Sequence, residues 1–266
     1  FKKNTIRNYF YFLTRFKEDY GNFEVSKIKS EDVMIFLTKV TDGQKQSTKK
    51  LKFSLLRSFF NFIKDSFDSS FANPCDTPIL KKTFKTAKGK SWTILDRDVV
   101  DEIIFKTDNT RNRLMLEFMA RGGMRVGEVL KLNAKNVHGR KLILSDPKSG
   151  NQTEIVYIPK KVADRLRDYI SSVKIEDSNS VFPFGYTRAR EIVQNAGKMI
   201  NINLKPHDLR RHAATYASRS GVPIEIVSKI ILRHANLATT HKDTLEKLVI
   251  RKQFIGLIIF IDKILG

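Results

Sequence analysis

Three short segments of the sequence carry residues of the types that act on phosphodiesters. Arg125 and Glu128 stand about one helical turn apart in the segment GGMRVGEVL, whose glycine pair marks a break before a new helix. His207 and Arg210 have the same spacing in HDLRRH, and His234 follows an apolar helical pattern in LRHANLATT. Metal-free phosphodiester transfer needs positive donors around the non-bridging oxygens, a proton donor for the leaving oxygen and a nucleophile. Each segment alone is typical of an ordinary surface pair, but together they predict one phosphate pocket.

The order and spacing of these segments, with Lys148 on a predicted hairpin between the first two, resembles the tyrosine recombinases, the family of phage integrases and chromosome-dimer resolvases. The resemblance runs from Trp92 to Asp243, and the basic helical segment before it is similar to the family's core-binding domain by position and composition. It implies that Arg125 and Arg210 bind the scissile phosphate and stabilise the pentavalent transition state. It also implies that Lys148 protonates the leaving 5′ oxygen, although an exposed turn lysine is an alternative interpretation.

The resemblance assigns supporting roles to three further residues. His207 and His234 would complete the pocket as acid/base and hydrogen-bonding groups, and Glu128 would occupy the family's acidic support position. Removing one preorganised donor from such a site typically lowers the rate on the order of 100-fold or more. We interpret His212 as a helix residue beside the motif, without a role in the pocket.

The nucleophile is where the sequence departs from the family. The nucleophilic tyrosine of the family comes nine residues after the histidine that corresponds to His234, and Asp243 stands at that position here. No tyrosine follows Tyr216, which we interpret as a packing residue. The hydroxyl of Thr244 is much harder to ionise than a phenol with a pKa of about 10, and an acyl phosphate on Asp243 would be prone to hydrolysis. We therefore expect DNA recognition without cleavage.

The elements that must position these residues are mainly helical. Two short strands, Lys141–Leu144 and Glu154–Ile158, flank a turn-rich tip that carries Lys148. Helical spacing elsewhere predicts a mainly α fold in which the C-terminal domain is mixed and holds a small β-hairpin. The predicted divisions are an N-terminal helical core-binding domain over residues 1–80, a basic linker over residues 81–91 and a recombinase-like catalytic domain over residues 92–266.

Composition favours a polyanionic partner and an intracellular setting. The 49 lysines and arginines exceed the 28 acidic residues, so the formal net charge is +21. The apolar stretch from Phe254 to Leu265 is interrupted by glycine and charged residues, and is not expected to span a membrane. Cys75 is the single cysteine, which excludes the Cys-pair spacing of a zinc finger and fits the cytoplasm. No metal or other cofactor is expected.

Six basic residues of the first third are candidates for contacts with DNA phosphates. They are Lys49, Lys50, Lys52 and Arg57 on the third helical pattern, and Lys85 and Lys88 in the predicted linker. A run of charge is also typical of a solvated helix face, so these residues have two interpretations.

The resemblance further implies a partner and an assembly. The family reaction is site-specific strand exchange on double-stranded DNA through a 3′-phosphotyrosine, by tetramers on core sites with inverted repeats. The C-terminal apolar stretch would then support self-association, with packing inside one chain as the alternative. Two other functions stay open: a non-catalytic DNA-binding regulator on the same scaffold, and a helical transcription factor or RNA-binding protein in which the motifs are coincidental.

Overall fold

The computed structural model describes residues 3–86, 94–145 and 153–233 of the chain. The chain divides into two compact units, Phe1–Lys90 and Ser91–Gly266. Each unit has its own hydrophobic core, so each is described by itself.

The first unit is built from helices that share an aromatic core. They are α1 (Lys3–Tyr20), α2 (Ser30–Thr41), α3 (Gln46–Ser66) and α4 (Pro78–Thr83), with 3-10 turns at Val25–Lys27 and Pro74–Asp76. The ring centroid of Phe16 lies 4.9 Å from that of Phe36 on α2 and 5.8 Å from that of Phe60 on α3. Apolar residues recur every three or four positions on each helix, and this spacing brings their buried faces together.

The first unit extends past residue 80, where the predicted linker begins. Leu80 and Phe84 are buried, and the ring of Phe84 stacks on Phe53 with a centroid distance of 5.3 Å. The side-chain amide of Gln46 donates to the carbonyl oxygen of Thr83 at 2.6 Å. This packing is hard to predict from the sequence, because Leu80 and Phe84 are only two apolar residues, one helical turn apart, among several lysines.

Cys75 belongs to the core of the first unit. Its side chain is 0% exposed, and the backbone N–H donates to the Asn73 side chain at 2.8 Å. Burial raises the pKa of the Cys75 thiol to about 12, and the negative charge of Asp76 acts in the same direction.

The second unit packs its helices around α6. Its helices are α5 (Arg97–Phe105), α6 (Thr110–Ala120), α7 (Val126–Val129), α8 (Lys160–Val173), α9 (Tyr186–Lys198), α10 (Pro206–Arg219) and α11 (Ile224–Ile226), the last running into a π-helical turn at Val227–Ile231; a 3-10 turn lies at Ala134–Asn136. Every residue from Leu114 to Ala120 is buried, which is typical of a helix covered on all sides. Both α10 and α8 pack against α6, so the helix that carries His207 and Arg210 rests on the centre of the unit.

A three-stranded antiparallel sheet in the order β1-β2-β3 completes the second unit. Its strands are β1 (Val137–His138), β2 (Lys141–Ser145) and β3 (Thr153–Tyr157). The register pairs Leu142 with Val156 and Ser145 with Thr153, and Glu154 is buried on the same face as Val156. This pairing confirms the predicted hairpin within one residue at each end. The two-residue strand β1 is too short to leave a pattern in the sequence.

The prediction of a mainly helical chain with a small hairpin is therefore confirmed. Within the described ranges, no helix is both long enough and apolar enough to cross a bilayer.

Candidate functional site

Arg125 lies at the junction of α6 and α7, where the glycine pair turns the chain. Gly123 has a φ of +59°, in the left-handed region that favours glycine, and the Met124 N–H donates to the Phe118 carbonyl oxygen at 3.1 Å. Arg125 is thereby placed directly before α7, and Glu128 accepts two hydrogen bonds from it. The backbone N–H of Arg125 donates to Oε2 at 2.8 Å, and its Nη1 donates to Oε1 at 2.6 Å. The carboxylate therefore orients the arginine.

Arg210 approaches the same loop from α10. Its side chain is 1% exposed, and its two terminal nitrogens donate to the carbonyl oxygens of Gly123 and Leu232. Gly123 is two residues from Arg125, so the structure brings the two predicted phosphate-binding arginines to one loop.

Arg233 joins these two arginines, and the sequence had given it no role. Its Nη2 donates to the Gly123 carbonyl oxygen at 3.2 Å and to Glu128 Oε2 at 2.8 Å, while its Nη1 donates to the Ile231 carbonyl oxygen at 2.7 Å. Its Nε forms an ion pair of 3.3 Å with Oε2 of Glu154 on β3. Two features of the sequence point to Arg233: it directly precedes His234, and it is a charged residue after an apolar helical pattern. Neither feature identifies its partners.

Three arginines and two buried carboxylates thus form one cluster, whose members are Arg125, Arg210, Arg233, Glu128 and Glu154. Its formal charge is +1, since three positive charges face two negative ones. Burial alone would raise the pKa of Glu128, but attraction to Arg233 and hydrogen bonds from Arg125 outweigh it, and the pKa is lowered. Glu128 therefore stays ionised near neutral pH and the cluster keeps its positive excess.

His207 is exposed on the first turn of α10, three residues before Arg210. The Asp208 carboxylate accepts a hydrogen bond from the backbone N–H of Lys205 at 2.9 Å, which fixes the start of this helix. Arg211 is nearly buried, and its Nη1 donates to Asp208 Oδ1 at 3.2 Å.

His212 and Tyr216 have packing roles, as the sequence interpretation assigned them. His212 is buried, with Nδ1 2.9 Å from the Leu95 carbonyl oxygen. Its ring stacks on Tyr216 at a centroid distance of 5.9 Å, and the Arg97 guanidinium lies 5.5 Å from the centre of the Tyr216 ring. Six residues at about 100° each place Tyr216 roughly 120° around α10 from Arg210, away from the arginine cluster.

Lys148, His234 and Asp243 lie outside the described residues, as do Lys88 and the stretch from Phe254 to Leu265. Their predicted roles therefore stay predictions. The described part of the hairpin contributes one observation: the Ser145–Thr153 pair closes its root, and the next residue of β3, Glu154, is the partner of Arg233. The hairpin that carries Lys148 is thus anchored to the arginine cluster at its base.

A second basic site lies on the first unit, between α3 and α4. A surface groove of about 260 Å³ is lined by Lys50, Phe53, Ser54, Arg57, Ser58, Asn61, Lys81, Phe84 and Lys85. Asp76 holds two of its cations: Arg57 Nη2 lies 2.7 Å and Lys81 Nζ 3.1 Å from its carboxylate. Three of the six predicted DNA-contacting residues, Lys50, Arg57 and Lys85, therefore share one groove.

Two other predicted contacts differ in setting. Lys52 turns inward: its Nζ donates to the Val40 carbonyl oxygen at 2.7 Å near the end of α2. Burial and the nearby charge of Arg15 lower the pKa of Lys52. Lys49 is half-buried and is not among the residues that line the groove. The predicted phosphate contacts of Lys49 and Lys52 therefore stay predictions. The linear sequence does not distinguish these lysines from the groove residues, because it does not reveal which side of α3 packs against α2.

Comparison with known proteins agrees with this architecture. The Phage integrase family matches residues 93–244, and the family described as Phage integrase, N-terminal SAM-like domain, matches residues 2–66. The chain is 30% identical to the tyrosine recombinase XerA of Pyrococcus horikoshii over 252 residues, which cover 90% of this chain and 81% of that protein. It is 28% identical to the tyrosine recombinase XerD of Staphylococcus epidermidis, with 94% of this chain and 91% of that protein covered.

Solved structures share the fold. The Tn1549 transposon integrase in complex with a circular intermediate DNA superposes with a TM-score of 0.73 at 15% identity, covering 99% of this chain and 94% of that one. The XerH site-specific recombinase bound to a palindromic difH substrate gives a TM-score of 0.72 at 20% identity, covering 90% and 76%. With a family match over more than half of its length and a 30% identical relative along 90% of it, the chain belongs to the phage integrase family of tyrosine recombinases.

Proposed function

We propose that this chain binds double-stranded DNA at a core site with inverted repeats, and that its arginine cluster holds the phosphate at which the family exchanges strands. The observation that carries the proposal is the convergence of Arg125 and Arg210 on the Gly123 loop. Glu128 orients the first arginine and the Gly123 carbonyl oxygen orients the second. Donors that are set in advance stabilise charge on a phosphorane without reorganising during the reaction.

In this proposal the two units have different tasks. The first unit tracks the DNA backbone with the groove cations Lys50, Arg57 and Lys85, and the second unit holds the scissile phosphate. His207 serves as an acid/base group at the exposed start of α10, with Lys148 and His234 in the roles that the family resemblance implies. Self-association on DNA through the stretch from Phe254 to Leu265, as in a tetramer, completes the proposal.

DNA binding is tested by its salt dependence. Affinity for a duplex selected from random inverted repeats should fall steeply between about 50 and 200 mM salt, because phosphate contacts release counterions. The double variant Lys50→Gln/Lys85→Gln should reduce the slope of log affinity against log salt by about 0.9 for each phosphate that is no longer neutralised. Fluorescence anisotropy measures this slope.

The matched control is Lys17→Gln/Lys64→Gln, which removes the same charge from two exposed lysines that do not line the groove. It should leave the slope closer to that of the parent chain. Equal slopes for the two double variants would remove the groove from the proposal. Equal affinity for RNA hairpins would favour an RNA-binding protein instead.

We further propose that the chain forms no stable covalent adduct with DNA, because Asp243 stands at the position of the nucleophile. Asp243→Tyr should restore the adduct, since the arginine cluster stabilises the transition state but cannot replace the group that holds the phosphate. A nicked duplex that loses its short 3′ fragment after cleavage traps such an adduct for detection on a denaturing gel.

Two control variants sharpen this experiment. Thr244→Tyr places the same phenol one residue away and should form no adduct, whereas Arg125→Ala in the Asp243→Tyr background should lose the adduct and retain DNA binding. An adduct with the unmodified chain would show that another residue is the nucleophile. If the chain and its variants bind the site specifically and none of them forms an adduct, the second candidate is favoured, a non-catalytic regulator on a recombinase scaffold.

A further inference from the structure

Arg233 combines two properties that rarely occur together. Its backbone has a φ of +49°, a left-handed conformation that non-glycine residues seldom adopt, and its side chain is only 5% exposed. Such a conformation persists when the surrounding contacts hold it, and such sites concentrate where function requires a fixed geometry. The identity of the residue therefore matters at this position, since a glycine would satisfy the backbone alone.

The side chain of Arg233 contacts a loop, a helix and a strand that all lie far before it in the sequence. Its Nη2 bonds the Gly123 carbonyl oxygen and Glu128 Oε2, and its Nε pairs with Glu154. Gly123 lies between α6 and α7, Glu128 lies on α7 and Glu154 on β3. One guanidinium thus connects the loop of the phosphate-binding arginines with the root of the β2–β3 hairpin.

We propose that Arg233 is a positioning residue for the phosphate site, a role that depends on the function proposed above. It shares Glu128 with Arg125 and the Gly123 carbonyl oxygen with Arg210. It therefore fixes both arginines relative to each other before DNA binds.

Lysine cannot substitute for it in this arrangement. A guanidinium presents five N–H groups on three nitrogens in a rigid fork, and Arg233 contacts four oxygen partners with them. An ammonium has three N–H groups on one nitrogen, which is fewer than the partners to be held and cannot reproduce the fork. The charge is needed as well, because Glu128 and Glu154 are both buried and would repel each other without a shared cation. Geometry and charge thus have separate roles, and conservative variants separate them.

The experiment follows phosphate binding in the full-length chain. With arginine labelled by nitrogen-15, the Nε–H signals of Arg125 and Arg210 are assigned from their Lys variants and titrated with inorganic phosphate at constant ionic strength. In the parent chain both signals should shift with one dissociation constant. In Arg233→Lys that constant should rise about tenfold, equivalent to ~1.4 kcal/mol, and the two signals should no longer titrate together.

The matched control is Arg165→Lys. Arg165 Nη1 lies 2.5 Å from the buried carboxylate of Glu117 in the same unit but outside the arginine cluster. This variant should lower the unfolding temperature and leave the phosphate constant within about twofold of the parent. A purely structural role for Arg233 would give the same pattern in Arg233→Lys, and that result would overturn the inference.

A second variant keeps the test decisive if Arg233→Lys does not fold. Glu154→Gln removes the charge of one partner of Arg233 and keeps Arg125, Arg210 and Glu128. Because it also raises the formal charge of the cluster by one, its readout is the agreement between the two Nε–H signals, which should no longer titrate with one dissociation constant. Two signals that still titrate with one dissociation constant in Glu154→Gln would also overturn the inference. If neither Arg125 nor Arg210 responds to phosphate in the parent chain, the proposed phosphate site itself is wrong and the role of Arg233 falls with it.

Discussion

At the scale of single residues, the carbonyl oxygen of Gly123 is the point at which two arginines of the cluster meet. It accepts hydrogen bonds from both Arg210 and Arg233, and its orientation depends on a φ of +59°. A Cβ atom at this position would lie 2.8 Å from the Ile231 carbonyl oxygen, a backbone atom that cannot move aside easily. Conformation and space therefore both require glycine here.

Gly123→Ala is expected to lower the free energy of unfolding by about 1–3 kcal/mol, because it adds a left-handed non-glycine residue and a backbone clash. Gly127→Ala is the matched control: Gly127 lies on α7, and no described atom falls within 4 Å of an added Cβ. That change should be neutral or stabilising by about 0.5–1 kcal/mol. Urea unfolding measures both, and equal losses would contradict the assigned role of Gly123.

The sequence predicts the members of the site better than their connections. The spacing in GGMRVGEVL and HDLRRH identifies Arg125, Glu128 and Arg210, and the structure joins all three. Arg233 escapes prediction because its distant partners lie 79 to 110 residues earlier in the chain and its positive φ leaves no mark on composition. Lys52 shows the converse, since a lysine in a basic run turns inward to a carbonyl oxygen of α2.

At the scale of elements, α10 contacts both the loop of the phosphate-binding arginines and the beginning of the second unit. Arg210 bonds the Gly123 loop, and His212 reaches the Leu95 carbonyl oxygen from the same helix. The sequence predicts the hairpin from its turn-rich tip between two short strand-like segments, and it predicts that the remainder of the second unit is helical. The sequence does not reveal β1 or the packing of α4, because two residues or little more than one helical turn give no repeating pattern to detect.

The His212 contact should make stability depend on pH. Burial lowers the pKa of His212 and the charge of Arg121 adds to this, whereas the bond to Leu95 and the carboxylates of Asp101 and Asp96 oppose it; the net pKa is below its ordinary value of 6.5. The unfolded chain therefore binds the proton more readily. The contribution of neutral His212 to the free energy of unfolding is fully present above about pH 6.5. It is lost as the pH falls through the pKa of His212 in the folded state.

Thermal unfolding between pH 8 and 5 checks this expectation, with His212→Gln as the comparison. The variant should show a weaker decline of the unfolding temperature across this range than the parent chain. Glu128 does not affect this comparison, because its pKa is lowered from 4.5 and its contribution to the free energy of unfolding is lost only below that pH. Parallel declines in the two proteins would assign the pH dependence to other groups.

At the scale of the whole molecule, a formal charge of +21 affects folding and binding in opposite ways. The charge attracts a polyanion, and it also makes the chain repel itself in the compact state. Raising sodium chloride from about 20 to 200 mM should therefore raise the unfolding temperature of the free protein, while the same change weakens DNA binding. Differential scanning fluorimetry checks the first effect, and a fall in the unfolding temperature would contradict it.

The buried position of Cys75 makes this protein suitable for site-specific chemistry. A thiol that is fully enclosed, with a pKa raised to about 12, supplies almost no thiolate to maleimide reagents near neutral pH. Cysteines introduced at exposed positions, one on each unit, would then carry the dyes without removal of the native residue. Energy transfer between such dyes would follow the separation of the two units while DNA is added.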